Sequence, residues 1–408
     1  MRVVVNQLSA LGRKTGIGHY ASELLRCLHD HADGEEIEGF APAWIRRGWQ
    51  FWHGLSSHLN RRRAARNWAA SSRNSVLSGI RQRAFHQVRQ FGRAVLAQHF
   101  RAVCQRKRYD LYHEPNYVPL ACELPTIATL ADLSVLLHPQ WHPADRVAYY
   151  ERYFHDSVRR CVHFLAISEF GRQEIIRHLG VPPEKVTCTY MGIRPTLRPL
   201  PADEVAGTLH RLGLPPRYLL YLGTIEPRKN LLTLLRAYCD LPAGIRSRCP
   251  LLLVGGWGWN TAEIAEYLHE HARQRGVVHV GYVPEEYLAS IYNGARALVY
   301  PSFYEGFGLP PAEMLACGGA VLASTAAAIA ETVGGHAHLI DARDVAGWRD
   351  AMARVAEDDD WWQALRRGAT GVCSRFTWER CAADTLQVYR GICGHSRMPQ
   401  AAPLPRAA

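Results

Sequence analysis

The sequence predicts a two-domain α/β protein built on parallel β-sheets. The chain has 408 residues, which is more than one hydrophobic core usually serves, so two domains are expected. Its 48% hydrophobic and 21% charged residues are typical of a soluble globular protein. In the second half, at least four strand–helix units precede Glu305. Such alternation is typical of a parallel sheet.

The first predicted strand covers residues 2–5, and an amphipathic helix follows over residues 20–28. Gly16 and Gly18 precede that helix. Glycine amides at a helix N-terminus can point at an anion, which would make this loop a binding element. A tight turn explains the same residues, because an isolated G-x-G is a weak signal.

Polar residues follow two further predicted strands of the N-terminal half. His113 and Asn116 stand after one strand, and Asp132 stands after the next. Open α/β sheets bind ligands at the carboxyl ends of parallel strands. These side chains are therefore predicted to face a cleft, and the N-cap of the following helix is the alternative role for Asp132.

Two histidines in the same region have the spacing of a metal pair. His138 and His142 are four residues apart, which brings two ligands together only on a helix. Pro139 and Pro143 disfavour a regular helix there. The sequence therefore predicts structural or ligand-contacting histidines and no metal site.

A proline-rich segment over residues 194–216 is followed by a strand over residues 218–223. Arg228 and Lys229 then stand next to each other before a predicted helix. Two cations in a strand-to-helix loop suit a diphosphate, and the helix dipole adds to their attraction. Solvated surface charges are the alternative.

Two glutamates frame a glycine-bearing loop after the predicted strand over residues 295–300. Glu305 leaves the strand, and Glu313 lies in the first turns of a helix that prolines open. Gly306 and Gly308 between them allow a ligand to approach the backbone. Carboxylates accept hydrogen bonds from paired hydroxyls, so the loop suits a sugar or a ribose. A buried turn with one helix-capping glutamate is the alternative.

The whole stretch from Tyr300 to Gly319, with Gly-Phe-Gly-Leu-Pro between its two glutamates, resembles the signature of family 4 of the retaining nucleotide-sugar glycosyltransferases. The likeness extends from Gly16 to about Thr377. It implies the GT-B fold, in which two Rossmann-like doubly wound domains face a central cleft. It also implies a nucleotide-sugar donor as co-substrate, with neither a metal nor another cofactor.

The resemblance assigns roles to individual residues. Glu305 would contact the donor sugar and Glu313 the ribose, and Lys229 matches the lysine that holds the diphosphate. The arginine of that family falls at Thr224, so Arg228 is predicted to take its place. From its own position, Asp132 is predicted to complete the catalytic set, where it would either substitute for a histidine of that family or orient the acceptor hydroxyl. The remaining donor-binding residues are Gly16, Gly18, Thr224, Val283, Gly306, Phe307, Gly308 and Leu309. The acceptor-side residues are His113, Asn116 and His138.

One position departs from the family pattern. The segment around Asp132 usually reads Thr-x-His-Asp in that family, whereas Ala131 stands here in place of the histidine. A mechanism that needs an imidazole at this point is therefore in doubt. The departure also leaves open a non-catalytic protein that binds sugar nucleotides for a partner.

The string from Gly223 to Asn230, Gly-Thr-Ile-Glu-Pro-Arg-Lys-Asn, most resembles the branch that makes bacterial surface polysaccharides such as O-antigen and exopolysaccharide. It implies transfer of mannose from GDP-mannose to a lipid-linked saccharide. Rhamnosyl or glucosyl transfer from a dTDP or UDP donor would use the same residues.

The predicted domain boundaries follow from these segments. Residues 1–194 form the acceptor-side domain with a basic insertion at 44–108, and residues 195–216 form the linker. Residues 217–375 form the donor domain. Residues 376–393 form a helix that returns to the first domain, and residues 394–408 form a disordered tail.

Residues 39–109 contain 15 Arg and Lys and no Asp or Glu. Subtracting 15 from the formal net charge of +11 leaves −4 for the rest of the chain. Aromatic residues interleaved with Arg suit an anionic membrane surface. An ordinary helical insertion is the alternative, and nucleic acid is not predicted because no recognition motif is present. Single, scattered cysteines and a start that leads straight into a strand predict a cytoplasmic protein, peripheral on the inner face of the membrane.

Overall fold

The computed structural model describes residues 1–11, 16–42, 44–45 and 92–395. In this part of the chain the protein forms two six-stranded parallel sheets with helices between the strands. The predicted α/β class and the two Rossmann-like domains are confirmed.

The first sheet has the strand order β2-β1-β3-β4-β5-β6. Val4 of β1 and Tyr112 of β3 belong to its core, and Phe100 packs edge-on against Phe40 with ring centroids 4.6 Å apart. Its strands are β1 (Arg2–Asn6), β2 (Glu36–Phe40), β3 (Leu111–Glu114), β4 (Thr126–Leu130), β5 (Cys161–Ala166) and β6 (Val186–Cys188).

The second sheet has the strand order β12-β11-β10-β7-β8-β9. The chain builds outward from β7 to β8 and β9 on one side, and β10 starts the other side. The boundary between β7 and β10 is therefore the topological switch point, where open α/β sheets bind ligands. The strands are β7 (Tyr218–Leu222), β8 (Leu251–Val254), β9 (Val277–Gly281), β10 (Ala295–Tyr300), β11 (Val321–Ser324) and β12 (His338–Ile340).

The central strands of the second sheet have apolar side chains on both faces. Every residue of β8 and β10 is buried, as expected where helices cover both faces of a parallel sheet. Both strands coincide with short apolar runs of the sequence, residues 251–254 and residues 295–300, and the second has the bounds predicted for it. At the edge, Val278 of β9 is 45% exposed, which fits a strand paired on one side only.

Helices connect the strands, and their N-termini follow local sequence signals. Ser168 caps its helix by accepting a hydrogen bond from the Gly171 amide, and prolines occupy the first turn of the Leu309–Ala316 helix. The longer described helices are Gly16–His31, 92–107, Ala144–Arg160, Glu169–Leu179, Ala202–Arg211, Leu231–Cys239, Leu309–Ala316, Val345–Glu357, Asp359–Arg366 and Trp378–His395. The shorter ones are Ser134–Leu137, Ala243–Arg248, Ala262–Tyr267, Leu288–Gly294, Ala327–Val333 and Ala369–Val372.

The chain divides into two compact units. One comprises Met1–Thr129, Ser157–Phe164 and Ala382–Ala408, and the other comprises Leu130–Asp156 and Leu165–Cys381. The domain boundaries proposed from the sequence stay a prediction. The tail from residue 396 onward lies outside the described residues.

Most of the basic insertion, residues 46–91, also lies outside the described residues. Its described end forms the 92–107 helix, where Arg93 donates to the Pro119 carbonyl and Arg101 to the Ala121 carbonyl. That end therefore packs on its own unit. Within the described ranges, no helix combines the length and the apolar character needed to cross a membrane.

Candidate active site

Two loops at the switch point of the second sheet carry the charged residues that the sequence singles out. The loop after β7 holds Arg228 and Lys229, and the loop after β10 holds Glu305. Because β7 and β10 are neighbours, their carboxyl ends bring these loops together. The geometry expected for a ligand site therefore follows from the strand order.

Glu305 is the centre of this cluster and is 6% exposed. Its Oε1 accepts hydrogen bonds from Lys229 Nζ at 2.5 Å and from the Tyr300 hydroxyl at 2.9 Å. Its Oε2 accepts from Arg228 Nη1 at 3.0 Å. Lys229 Nζ also donates to the Tyr300 hydroxyl at 2.8 Å. The carboxylate is thus fixed from two sides by two cations and a phenol.

Arg228 connects Glu305 to two further carboxylates. Its Nε donates to Glu226 Oε1 at 2.7 Å, and its Nη1 lies 3.9 Å from Asp132 Oδ2. The other oxygen of Asp132 accepts from the Ser134 amide at 2.9 Å. The Asp132 side chain thus contacts the first residue of the Ser134–Leu137 helix, whose N-cap is Leu133, and also faces Arg228. Its catalytic role stays a prediction.

The protonation states follow from burial and from these neighbours. Burial alone would raise the pKa of Glu305, but Lys229 and Arg228 outweigh it and lower the pKa to about 2. Burial favours the neutral form of Arg228, yet Glu305 and Asp132 raise its pKa well above the usual value. Burial and the adjacent Arg228 lower the pKa of Lys229. Glu305 is an ionised carboxylate at neutral pH.

The glycines of the Glu305 loop allow close backbone contacts. A Cβ on Gly306 would lie 1.9 Å from the Ala131 carbonyl oxygen, so only glycine fits beneath that loop. Gly308 has φ +92°, in the left-handed region that favours glycine. Ser168 Oγ donates to the Gly306 carbonyl at 2.7 Å. Ala131 thus contributes a backbone contact at the position where the family has a histidine.

Glu313 lies in a second, separate cluster on the Leu309–Ala316 helix and is 1% exposed. Its Oε1 accepts from Arg194, and its Oε2 accepts from the Tyr292 hydroxyl at 2.7 Å. Arg194 also pairs with Glu285 at 3.0 Å. Burial raises the pKa of Glu313 in spite of the neighbouring Arg194.

An aromatic group borders the first cluster. The half-buried imidazole of His138 stacks on Trp141 with centroids 4.1 Å apart and meets Tyr304 edge-on at 5.4 Å. The Tyr304 hydroxyl accepts from the Leu133 amide at 3.1 Å and donates to Glu174. His138 and His142 do not share a regular helix, as predicted, because a 3-10 turn, Pro139–Trp141, separates them.

Four other predicted donor contacts differ in accessibility. Thr224 is exposed, and its carbonyl accepts from Tyr221. Val283 is buried just after β9, and Leu309 is half-buried at the start of its helix. The Phe307 side chain is buried edge-on against Phe376 with centroids 5.1 Å apart. The donor roles of these residues stay predictions.

The predicted site residues of the N-terminal unit are placed as follows. Gly18 is tightly packed, since a Cβ there would lie 2.8 Å from the Ser9 carbonyl oxygen, whereas Gly16 has open space around it. His113 is fully buried with Nδ1 2.6 Å from the Tyr389 hydroxyl. Asn116 is exposed. The acceptor-side roles of His113 and Asn116 stay predictions, and His113 exposes no atom to a ligand.

Sequence reasoning missed four residues that hold the two glutamates. Glu226 and Tyr300 contact the Glu305 cluster, and Arg194 and Tyr292 contact Glu313. Glu226 and Tyr300 lie within the two stretches that the sequence singles out, Gly223–Asn230 and Tyr300–Gly319, so their position was an available signal. Among the described residues, no group of His, Cys, Asp and Glu side chains could hold a metal ion.

Both halves of the chain match known protein families. Residues 15–197 match the family described as Glycosyltransferase Family 4, and residues 210–370 match Glycosyl transferases group 1. Over 388 residues the chain is 32% identical to the O-antigen chain mannosyltransferase B of Escherichia coli. That alignment covers 92% of this chain and 96% of the relative.

Solved structures show the same fold at low sequence identity. The sucrose-phosphate synthase of Thermosynechococcus elongatus superimposes with a TM-score of 0.70 at 19% identity, covering 97% of this chain and 100% of that one. Anabaena HepE in complex with UDP and glucose superimposes with a TM-score of 0.68 at 16% identity, covering 96% and 100%.

Two Rossmann-like domains, with a charged cluster at the switch point of the second sheet, define the protein as a GT-B glycosyltransferase. The chain belongs to glycosyltransferase family 4.

Proposed function

We propose that this glycosyltransferase moves mannose from GDP-mannose to a lipid-linked saccharide, with retention at the anomeric carbon, in the synthesis of O-antigen or a related surface polysaccharide. The relative named as an O-antigen chain mannosyltransferase supports the sugar and the pathway, because the two chains match over 96% of its length. The charged cluster around Glu305 supports glycosyl transfer from a donor with a diphosphate leaving group.

The observation that carries this proposal is the cluster of Arg228, Lys229 and Glu305 at the carboxyl ends of β7 and β10. Glu305 is ionised and rigidly held, so it can position sugar hydroxyls as an acceptor of hydrogen bonds. Arg228 and Lys229 directly precede the Leu231–Cys239 helix. Their charges and the helix N-terminus would together stabilise the departing diphosphate, which is electrostatic catalysis by preorganised groups.

Asp132 would orient the attacking hydroxyl of the acceptor. It lies beside Arg228 and is fixed by the Ser134 amide, so its geometry does not depend on a histidine at position 131. Glu313 would hold the ribose hydroxyls. Ribose binding there requires a rearrangement, because Glu313 is 1% exposed and Arg194 and Tyr292 lie against its two oxygens.

The donor is tested by thermal unfolding with GDP-mannose, GDP, UDP-glucose and dTDP-rhamnose. A ligand that binds only the folded protein raises its stability in proportion to RT ln(1 + [L]/Kd). We expect the largest stabilisation with GDP-mannose and a smaller one in the Glu305→Gln variant. Stabilisation by UDP-glucose or dTDP-rhamnose alone would replace mannosyl transfer by glucosyl or rhamnosyl transfer at the same residues.

Testing the stereochemistry of transfer and the identity of the acceptor requires analysis of the reaction product. Incubation with GDP-mannose and a mannose-terminated lipid-linked saccharide should give an α-linked mannose by NMR, the configuration of the donor. A β-linkage would exclude the retaining mechanism while leaving the donor assignment intact.

Membrane association through the basic insertion is proposed from the sequence alone. We expect flotation with vesicles containing anionic phospholipid at low salt and release as salt is added, because surface charge attraction is screened. Equal flotation with neutral vesicles would contradict an electrostatic contact.

A further inference from the structure

His142 is a buried imidazole that the proposed mechanism does not use. The residue is 7% exposed, and its Nε2 lies 3.0 Å from Ser134 Oγ. Its Nδ1 is buried and has no hydrogen-bond partner among the described residues. Burial of a polar atom without a partner costs free energy. The free nitrogen therefore indicates a partner that the protein itself does not supply.

The surrounding contacts hold this imidazole rigidly. The Trp259 indole N–H donates to the Trp141 carbonyl at 2.8 Å, and its ring lies 6.1 Å from the His142 ring. The guanidinium of Arg146 lies 4.0 Å from the centroid of Trp259. Trp259 thus ties the loop after β8 to the segment that carries His142, and the position of Nδ1 is set by packing.

His142 also lies within electrostatic reach of the Glu305 cluster. Burial is the largest effect and lowers its pKa, Asp132 opposes burial, and Arg146 and Arg228 add to it, so that together they lower the pKa to about 4. The ring is neutral at pH 7 and either donates or accepts one hydrogen bond at Nδ1. A neutral group of this kind suits a hydroxyl, whereas a phosphate would be better served by a cation.

We propose that Nδ1 of His142 binds a hydroxyl of the saccharide held beside Arg228 and Asp132, after a local opening of the packing that buries this nitrogen. The proposal rests on the proposed function, since it assumes that a sugar occupies this site. It gives the chain an imidazole at its sugar site although Ala131 stands where the family has a histidine. The hydroxyl belongs to the transferred sugar or to the acceptor saccharide, and the experiment separates these sources.

Two substitutions of His142 test the contacts of its two ring nitrogens separately. In His142→Asn the amide stands near the position of Nδ1 and the contact to Ser134 is lost. In His142→Gln the amide reaches toward the position of Nε2 and the partner of Nδ1 is lost. The measurement is the affinity ratio of GDP-mannose to GDP by calorimetry, which isolates the contribution of the sugar. Thermal unfolding of each free variant reports the structural contact separately.

We expect His142→Gln to reduce the affinity ratio about five- to tenfold, the value of one hydrogen bond, while its melting temperature stays close to that of the wild type. We expect His142→Asn to keep most of the ratio and to melt at a lower temperature. In a second arm, α-mannobiose is titrated in the presence of GDP. Loss of that binding alone in His142→Gln would assign the hydroxyl to the acceptor.

The outcomes separate this inference from the proposed function. Both proposals would be overturned if the wild-type protein bound GDP-mannose no more tightly than GDP, and bound every other sugar nucleotide no more tightly than the corresponding free nucleotide. A wild-type preference that is unchanged in His142→Gln, together with unchanged mannobiose binding, would overturn only the role of His142. The nitrogen would then serve a structural water.

Discussion

The two glutamates of the glycine-bearing loop are eight residues apart and equally buried, yet their surroundings shift their pKa values in opposite directions. At Glu305, two cations outweigh the effect of burial and lower the pKa to about 2. At Glu313, burial outweighs the single cation, Arg194, and the pKa is raised. The number of cations, rather than the depth of burial, decides the direction in which the pKa of each carboxyl shifts.

This difference matches the roles proposed for them. A carboxylate beside a departing diphosphate must stay charged and fixed, and Glu305 has three donors that hold it so. A carboxyl that receives ribose hydroxyls must exchange its partners, and Glu313 can exchange them at lower cost because its ionised form is less stabilised. The comparison therefore predicts different responses to the same kind of substitution.

The largest difference is expected when one cation is removed from each cluster. Lys229→Met should lower the rate of glycosyl transfer by about 10²–10³-fold, because it removes the preorganised positive charge that we propose stabilises the leaving group. It should also lower the free energy of unfolding by about 3 kcal/mol, since Arg228 is left among three carboxylates. Urea unfolding and a radiolabelled transfer assay measure the two effects.

Arg194→Met is the matched control at the other glutamate. It should cost only about 1–2 kcal/mol of unfolding free energy, because Glu313, with its raised pKa, can take up a proton and keep its bond to Tyr292. Equal losses of stability in the two variants would contradict the difference between the clusters.

How far the sequence predicts this arrangement depends on the range of the interactions. The bounds of β8 and β10 follow from short apolar runs, and the approach of Arg228 to Glu305 follows from their positions after strands of one parallel sheet. The pairing of Arg194 with Glu313 joins residues 119 positions apart, and no local pattern encodes it. Likewise, the resemblance to the family signature marks Phe307 as part of the motif without showing that its side chain packs into the core.

The pH dependence of stability should differ in sign between the two glutamates. The pKa of Glu305 falls from 4.5 to about 2 on folding, which is worth about 3 kcal/mol. This stabilisation is complete above pH 4.5 and is lost as the pH falls toward 2. Relative to Glu305→Gln, the wild type should therefore lose stability between pH 5 and pH 3, as measured by urea unfolding.

Glu313 should behave in the opposite way. Because its pKa is raised on folding, its contribution is complete below pH 4.5 and is lost as the pH rises through the folded-state value. Relative to Glu313→Gln, the wild type should lose stability as the pH rises above 4.5. A constant offset between the two proteins over that range would show that Glu313 titrates normally.

The smallest effects should come from the two tyrosines, and they sharpen the comparison most. Removing the Tyr300 or the Tyr292 hydroxyl with phenylalanine should cost about 1 kcal/mol of unfolding free energy in each case. For Tyr300→Phe the loss should be the same at pH 5 and pH 8, because Glu305 is ionised at both. For Tyr292→Phe the loss should grow with pH, since its hydroxyl donates to Glu313 Oε2 and favours the ionised carboxylate. If both losses were independent of pH, Glu313 would be as firmly ionised as Glu305, and its exchange of partners for a ribose would lose its physical basis.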